Sequence, residues 1–282
     1  MKASIIILIG AFFMSKKQVI GVFDSGVGGL TIWKEVVKLL PKEDTVYIAD
    51  SENAPYGGKT SEEVQRLSEK NAQRLIDLGA KIIVVACNTA TTQSIEQLRR
   101  QFKVPFIGIE PAVKPAALKS KTKVIGVLAT NGTLESAHFN KTKANFSQGV
   151  KVITQVGAGL VSGIENGKLN DPELALILEK HLRELTKEPI DYLVLGCTHY
   201  PLLKPMLKQL LPSSVFVVDS GIAVALQTEK VLIAKGLKSN ASRKGTHTLY
   251  STGNMSVLKS IVKELKLPET LDIFYSSLYQ SE

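Results

Sequence analysis

The chain has 282 residues, 44 % of them hydrophobic, which is enough for two domains with a core each. Its formal net charge of +9 is carried by scattered lysines, with 6 % aromatic residues and no nucleic-acid-binding signature; the charge therefore reads as solvated surface, and no nucleic-acid partner is expected. Two cysteines far apart in the chain exclude a disulfide framework and point to free thiols in a reducing cytoplasm.

Lys2 followed by Ala3–Phe13 has the outline of a secretory signal. The run is too short to span a bilayer, no small-x-small cleavage site follows, and Met14-Ser15-Lys16-Lys17 reads as a second start. Residues 1–14 are thus expected to be an extension without a role in the fold, and no membrane association is expected. From there β-branched runs alternate with amphipathic stretches. Strands are predicted at Val19–Phe23, Thr45–Ala49 and Ile82–Ala86, with helices near Leu30–Leu40 and over Ser61–Leu78. The rhythm restarts with a strand at Lys123–Leu128, a helix from about Leu134, a strand at Lys151–Val156, a helix over Pro172–Leu185, and strands at Tyr192–Leu195 and Val215–Val218. Continuous apolar strands with intervening helices imply parallel sheets covered on both faces.

The restart is an internal duplication. Val19–Asp24 pairs with Val124–Ala129, and Ile82–Thr89 pairs with Tyr192–His199, each of these last two runs ending in a cysteine and a polar turn. Phe106–Glu110 follows Cys87 by the interval at which Phe216–Ser220 follows Cys197. A repeat of roughly 105 to 110 residues is too long for a solenoid unit and suits one small domain per copy. Residues beyond about Ala223 have no third copy to join and are expected to return to the first domain. The expected domains are residues 15–111 plus 223–282, and residues 112–222.

Ligands of parallel α/β sheets bind beyond the carboxyl ends of the strands, where Asp24, Asp50, Cys87, Glu110, Cys197 and Asp219 all fall. Two equivalent thiols fit proton removal from one face of a carbon and delivery to the other, because one base on one face cannot readily do both. A thiol pKa of about 8.5 can be lowered by polar neighbours, so one partner can be thiolate and the other thiol near neutral pH. Asp24 and His199 stand at strand ends as groups able to orient a thiol or exchange a proton with it; the plainer readings are a helix cap and a packed turn residue. The turn Asp24–Gly29 lacks both G-x-G-x-x-G and the Lys-Ser/Thr of a P-loop, which argues against a nucleotide. No C-x-x-C or H-E-x-x-H occurs, and His138, His181 and His247 stand apart, so no metal is expected.

Four segments, Gly21–Leu30 (GVFDSGVGGL), Pro55-Tyr56-Gly57, Cys87–Thr91 (CNTAT) and Gly196–Pro201 (GCTHYP), resemble the signature segments of the glutamate racemases. The resemblance covers nearly everything after Met14. It implies two similar flavodoxin-like domains with parallel sheets, related by pseudo-twofold symmetry, with the active site between them, and a homodimer. It also implies a cofactor-independent isomerase that interconverts L- and D-glutamate for peptidoglycan. Cys87 would deprotonate D-glutamate with Asp24 as its auxiliary, and Cys197 would deprotonate L-glutamate with His199. Glu165 resembles a further acidic residue of the family, although an exposed glutamate at a helix end is the simpler account. Two carboxylates and an ammonium would be held by Asp24, Ser25, Asn88, Thr89, Thr198 and His199 and by backbone N–H groups at Gly57, with Tyr56 shaping the pocket. The alternatives are an aspartate or other amino-acid racemase of the same superfamily, and an amino-acid-binding protein that closes on its ligand without turnover.

Overall fold

The computed structural model describes residues 18–146, 149–267 and 271–275. Residues 1–14, read as an extension, and 276–282, assigned to the first domain, lie outside the described residues. The apolar runs become strands covered on both faces. β1 (Val19–Asp24), β2 (Thr45–Ala49) and β3 (Ala80–Val85) are buried at every position, as strands inside a parallel sheet must be. β4 (Phe106–Gly108), β9 (His247–Ser251) and β10 (Leu271–Tyr275) complete a six-stranded sheet in the order β10-β9-β2-β1-β3-β4. The second sheet holds β5 (Val124–Ala129), β6 (Lys151–Val156), β7 (Tyr192–Gly196) and β8 (Phe216–Val218) in the order β6-β5-β7-β8. Every pairing is parallel. Counted from the first strand of each copy, both sheets run 2-1-3-4, which is the flavodoxin-like order with its switch point between the first and third strands.

The helices follow from local chemistry. α1 (Leu30–Leu39) buries Leu30, Trp33, Val36 and Val37, which lie on one face. α2 (Ser61–Asp77) opens on a capping box: Thr60 Oγ1 accepts from Glu63 N at 3.3 Å and Glu63 Oε2 accepts from Thr60 N at 3.0 Å. α8 (Pro172–Leu185) starts with Asp171 as N-cap and Pro172 in its first turn. The helix expected from about Leu134 is two, α5 (Asn131–Leu134) and α6 (Ala137–Phe146). Ser136 makes the break, its hydroxyl donating to Thr133 O at 2.7 Å and accepting from Phe139 N at 3.1 Å, which caps a new helix. The remaining helices are α3 (Asn88–Gln101), α4 (Val113–Lys119), α7 (Leu160–Glu165), α9 (Lys204–Leu210), α10 (Gly221–Ala234) and α11 (Met255–Glu264). Among the described residues no helix is long and apolar enough to cross a membrane.

The chain crosses from the first sheet to the second after β4 and returns after β8, and the two crossings touch where the Ser220 hydroxyl donates to Glu110 O. The returning segment packs α10 on α1 and adds β9 beside β2, with Thr45 opposite His247. Trp33 Nε1 donates to Thr45 Oγ1 at 2.9 Å, and the same hydroxyl lies 3.0 Å from His247 Nδ1.

Beneath this seam the side chains of Lys81 and Glu43 form an ion pair at 2.7 Å, 5 % and 2 % exposed, and Glu43 Oε1 also accepts from Ser239 N at 2.6 Å. The pair ties β3, the α1–β2 loop and the segment leading into β9 together. Removing one member of a buried pair leaves the other charge without compensation. Lys81→Ala should therefore lower the unfolding free energy by about 3–5 kcal/mol, measured by urea denaturation at neutral pH.

Candidate active site

Strand ends place the two thiols. Cys87 follows β3 and caps α3, its Sγ accepting from Ala90 N at 3.4 Å; Cys197 follows β7 directly. Both are buried and unpaired. Between the carboxyl ends of the two sheets they line one narrow slot, together with Ser25, Tyr56, Gly57, Asn88, Thr89, Thr198 and His199. The cavity itself is about 10 Å³, space for about one water molecule. Pro55, Thr130 and Val161 complete the lining; Pro55 belongs to a signature segment but none of the three was assigned a role from the sequence. Thr130 was legible in principle: it follows β5 as Ser25 follows β1, so the duplication places the two at equivalent strand ends.

Asp24 lies behind the slot wall. It is wholly buried, accepting from Gly26 N at 2.9 Å through Oδ1 and from Thr198 Oγ1 at 3.0 Å through Oδ2. It does not cap α1, whose N-cap is Gly29 with no side-chain bond. Burial raises its pKa; the nearby His199 and the two hydrogen bonds oppose that rise without cancelling it. Tyr47 Oη donates to Gly26 O at 2.7 Å and braces the same turn from beneath.

The glycines of this turn make room for side chains arriving from the second half of the chain. A Cβ at Gly28 would lie 2.3 Å from His199 Nδ1, and one at Gly26 would collide with the Glu165 carboxylate. Glu165 is not an exposed helix end: its side chain is 11 % exposed, and Oε1 accepts from Val27 N at 2.7 Å and from His199 Nε2 at 2.5 Å. The other ring nitrogen, Nδ1, lies 3.7 Å from Cys197 Sγ. Burial disfavours a charged imidazole, but Cys197 and Glu165 outweigh it and hold the His199 pKa well above its ordinary value. The raised pKa favours the protonated ring, whose Nε2 faces the carboxylate and Nδ1 the sulfur. Thr31 Oγ1, 2.9 Å from Thr198 O, fixes the turn that carries this pair.

The opposite side of the slot is polar and close-fitting. Thr89 Oγ1 meets Thr130 Oγ1 at 2.9 Å, which links α3 to the end of β5. A Cβ at Gly57 would lie 2.8 Å from Thr130 Cβ, so these walls touch without clearance. The Asn88 side chain is buried, and its Oδ1 has no hydrogen-bond partner among the described residues. Tyr56 gives the slot its flank while its hydroxyl is turned away to Asp50. Among the described residues no cluster of three or more His, Cys, Asp or Glu side chains could hold a metal ion.

The thiol chemistry differs from the sequence expectation in one respect. Cys87 is pushed up to a pKa of about 12 rather than down, first by burial and then by the charge of Asp24; the Ala90 N–H and Ser25 hydroxyl, the latter 3.6 Å from Sγ, offset only part of this. Burial thus favours the protonated form of the Cys87 thiol.

Two α/β halves enclosing a small slot with a buried thiol on one side and a sulfur–imidazole pair on the other define an enzyme that moves protons on a small ligand. Residues 20–228 match the Asp/Glu/Hydantoin racemase family. The chain is 43 % identical over 244 residues to a glutamate racemase of Ectopseudomonas mendocina, covering 86 % of this chain and 92 % of that protein. Crystal structures of glutamate racemases superpose closely. An isoform from Bacillus anthracis gives a TM-score of 0.81 at 35 % identity, covering 92 % of this chain and 98 % of that one. The Escherichia coli protein, in complex with L-glutamate and the activator UDP-MurNAc-ala, gives 0.80 at 32 % identity over the same shares. The chain belongs to the Asp/Glu/Hydantoin racemase family and, within it, to the glutamate racemases.

The raised pKa has a direct chemical readout. At pH 8 a thiol of pKa about 12 carries about a thousandfold less thiolate than one at 9.0. Iodoacetamide labelling with peptide mass mapping should leave Cys87 unmodified while an exposed model thiol reacts, and its rate should rise about tenfold per pH unit between pH 8 and 10. Rapid, pH-independent labelling would contradict the assignment.

Proposed function

We propose that Cys87 and Cys197 interconvert L- and D-glutamate by exchanging protons with opposite faces of the substrate α-carbon, without a cofactor. The observation that carries this reading is that two buried thiols, from equivalent strand ends of a duplicated topology, line one small slot. Inversion needs a base on one face and an acid on the other, and the Cys87 thiol, which burial favours in its protonated form, suits the acid. Cys197, whose sulfur faces the His199 ring, takes the α-proton of L-glutamate, breaking the C–H bond and leaving its electron pair on the substrate. The Cys87 thiol then delivers its proton to the opposite face, giving D-glutamate. The reverse reaction uses the same groups with roles exchanged. His199, aligned by Glu165, serves Cys197, and Asp24 serves Cys87.

Binding of the substrate follows from what the slot leaves open. Asn88 Oδ1 is a buried acceptor suited to the ammonium group. Ser25, Thr89, Thr198 and the backbone at Gly57 offer donors for the carboxylates, and Tyr56 closes the flank. Thr198 also donates to Asp24, so substrate contact and proton control meet in one side chain. Exclusion of water from so tight a site strengthens every electrostatic contact with the carbanion-like state.

The same reading divides the chain into residues 15–111 with 223–282 and residues 112–222, a division supported by the membership of β9 and β10 in the first sheet. It places the enzyme in the cytoplasm, where D-glutamate enters peptidoglycan synthesis; two buried free thiols support a reducing compartment. It includes a homodimer, supported by the exposed apolar side chains Ile222, Leu226 and Ile233 along α10.

Incubation with L-glutamate in deuterated water should place solvent deuterium at Cα and abolish optical rotation, with no D-aspartate formed from L-aspartate. Cys87→Ser and Cys197→Ser should each slow racemisation by at least about a hundredfold with unchanged circular dichroism. Retention of full activity by either variant defeats the two-thiol mechanism.

A further inference from the structure

We propose that Asp50 and Asn71 are positioning residues for racemisation: they hold Tyr56, and through it Gly57, as a fixed wall of the slot. Neither residue lines the slot. Asp50 follows β2, is wholly buried, and its backbone N–H donates to Asp24 O at 3.1 Å, so it stands one strand over from the catalytic turn. Its side chain collects three donors. Tyr56 Oη lies 2.5 Å from Oδ2, Asn71 Nδ2 lies 3.3 Å from the same oxygen, and Asn53 Nδ2 donates to Oδ1 at 2.8 Å. Asn71, 1 % exposed on α2, also reaches Tyr56 Oη at 3.2 Å and Leu67 O at 3.0 Å.

A set of buried polar groups is a costly way to fill space, since apolar side chains of similar volume usually do so with equal or better stability. What the polar set supplies instead is direction. An aromatic ring packed only by apolar contact can slide, whereas one whose hydroxyl is fixed by a buried carboxylate and an amide has one position. That position matters because the next residue, Gly57, already touches Thr130 across the slot. A shift of the Tyr56–Gly58 turn by about 1 Å would change the slot's width at the place where the ligand is held, and misplacement of that order can cost about a hundredfold in rate or affinity. The inference rests on the reading of Tyr56 and Gly57 as substrate-contacting residues.

The test is steady-state racemisation in both directions with Tyr56→Phe, Asp50→Ala, their double variant and Asp50→Asn. Because the wall binds and does not exchange protons, Tyr56→Phe and Asp50→Ala should each raise KM for both enantiomers about tenfold and leave kcat within about threefold. Because they act through one bond, the double variant should be no worse than about threefold beyond the poorer single variant. Asp50→Asn, which keeps an acceptor oxygen, should return KM to within about threefold of the unmodified enzyme. Unchanged KM in Tyr56→Phe, losses that fall in kcat, or losses that multiply in the double variant would overturn the proposal. Should Asp50→Ala fail to fold, Tyr56→Phe, which loses a single oxygen, decides alone. If the unmodified protein exchanges no deuterium at glutamate Cα, the functional reading fails; if it does and Tyr56→Phe binds normally, only the positioning role fails.

Discussion

The Glu165 carboxylate is shared between Val27 N–H in the first half of the chain and His199 in the second. This contact constrains everything around it. It requires a turn without side chains at Gly26 and Gly28, since a Cβ at either would occupy the space of Glu165 or His199. It sets the imidazole with its second nitrogen toward Cys197, and it draws the ends of the two sheets close enough for Thr31 to reach Thr198 O. A glycine-rich turn at a strand end commonly cradles a phosphate. Here the same lack of side chains admits the protein's own residues.

Electrostatics explains how a site crowded with acids remains usable. Asp24, Glu165 and Cys197 lie about the buried His199 ring, beside a slot read as the site of a substrate that brings two carboxylates. Burial penalises each anion: the pKa values of both Asp24 and Cys87 are raised, with desolvation the leading cause in each. The Cys87 side of the slot therefore favours a held proton, while the Cys197 sulfur faces the His199 ring.

Rigid support behind the slot completes the arrangement. Tyr47 braces Gly26, Thr31 braces Thr198, and Asp50 with Asn71 braces Tyr56. None of these supporting groups lines the slot, yet each fixes a residue that does or the turn beside it. Close-packed walls leave little tolerance, which is why hydrogen bonds of defined direction stand where apolar packing would have filled the same volume.

The sequence by itself determined the parallel α/β architecture, the duplication and the placement of both cysteines at strand ends. These are properties of short apolar runs and of intervals along the chain, which survive whatever packs against them. Only the tertiary structure decided the rest. Resemblance marked Glu165 as a site residue, but its local sequence reads equally as a solvated helix end, and only a partner 138 residues away shows it buried. Thr130 became part of the slot only when the ends of β3 and β5 faced each other, and Ser136 split a helix by a hydroxyl that periodicity does not register. Most plainly, the protonation of Cys87 ran opposite to its local sequence, where polar followers favour a thiolate. Burial and the Asp24 charge are sums over neighbours from distant segments, and no stretch of residues around a cysteine contains that sum.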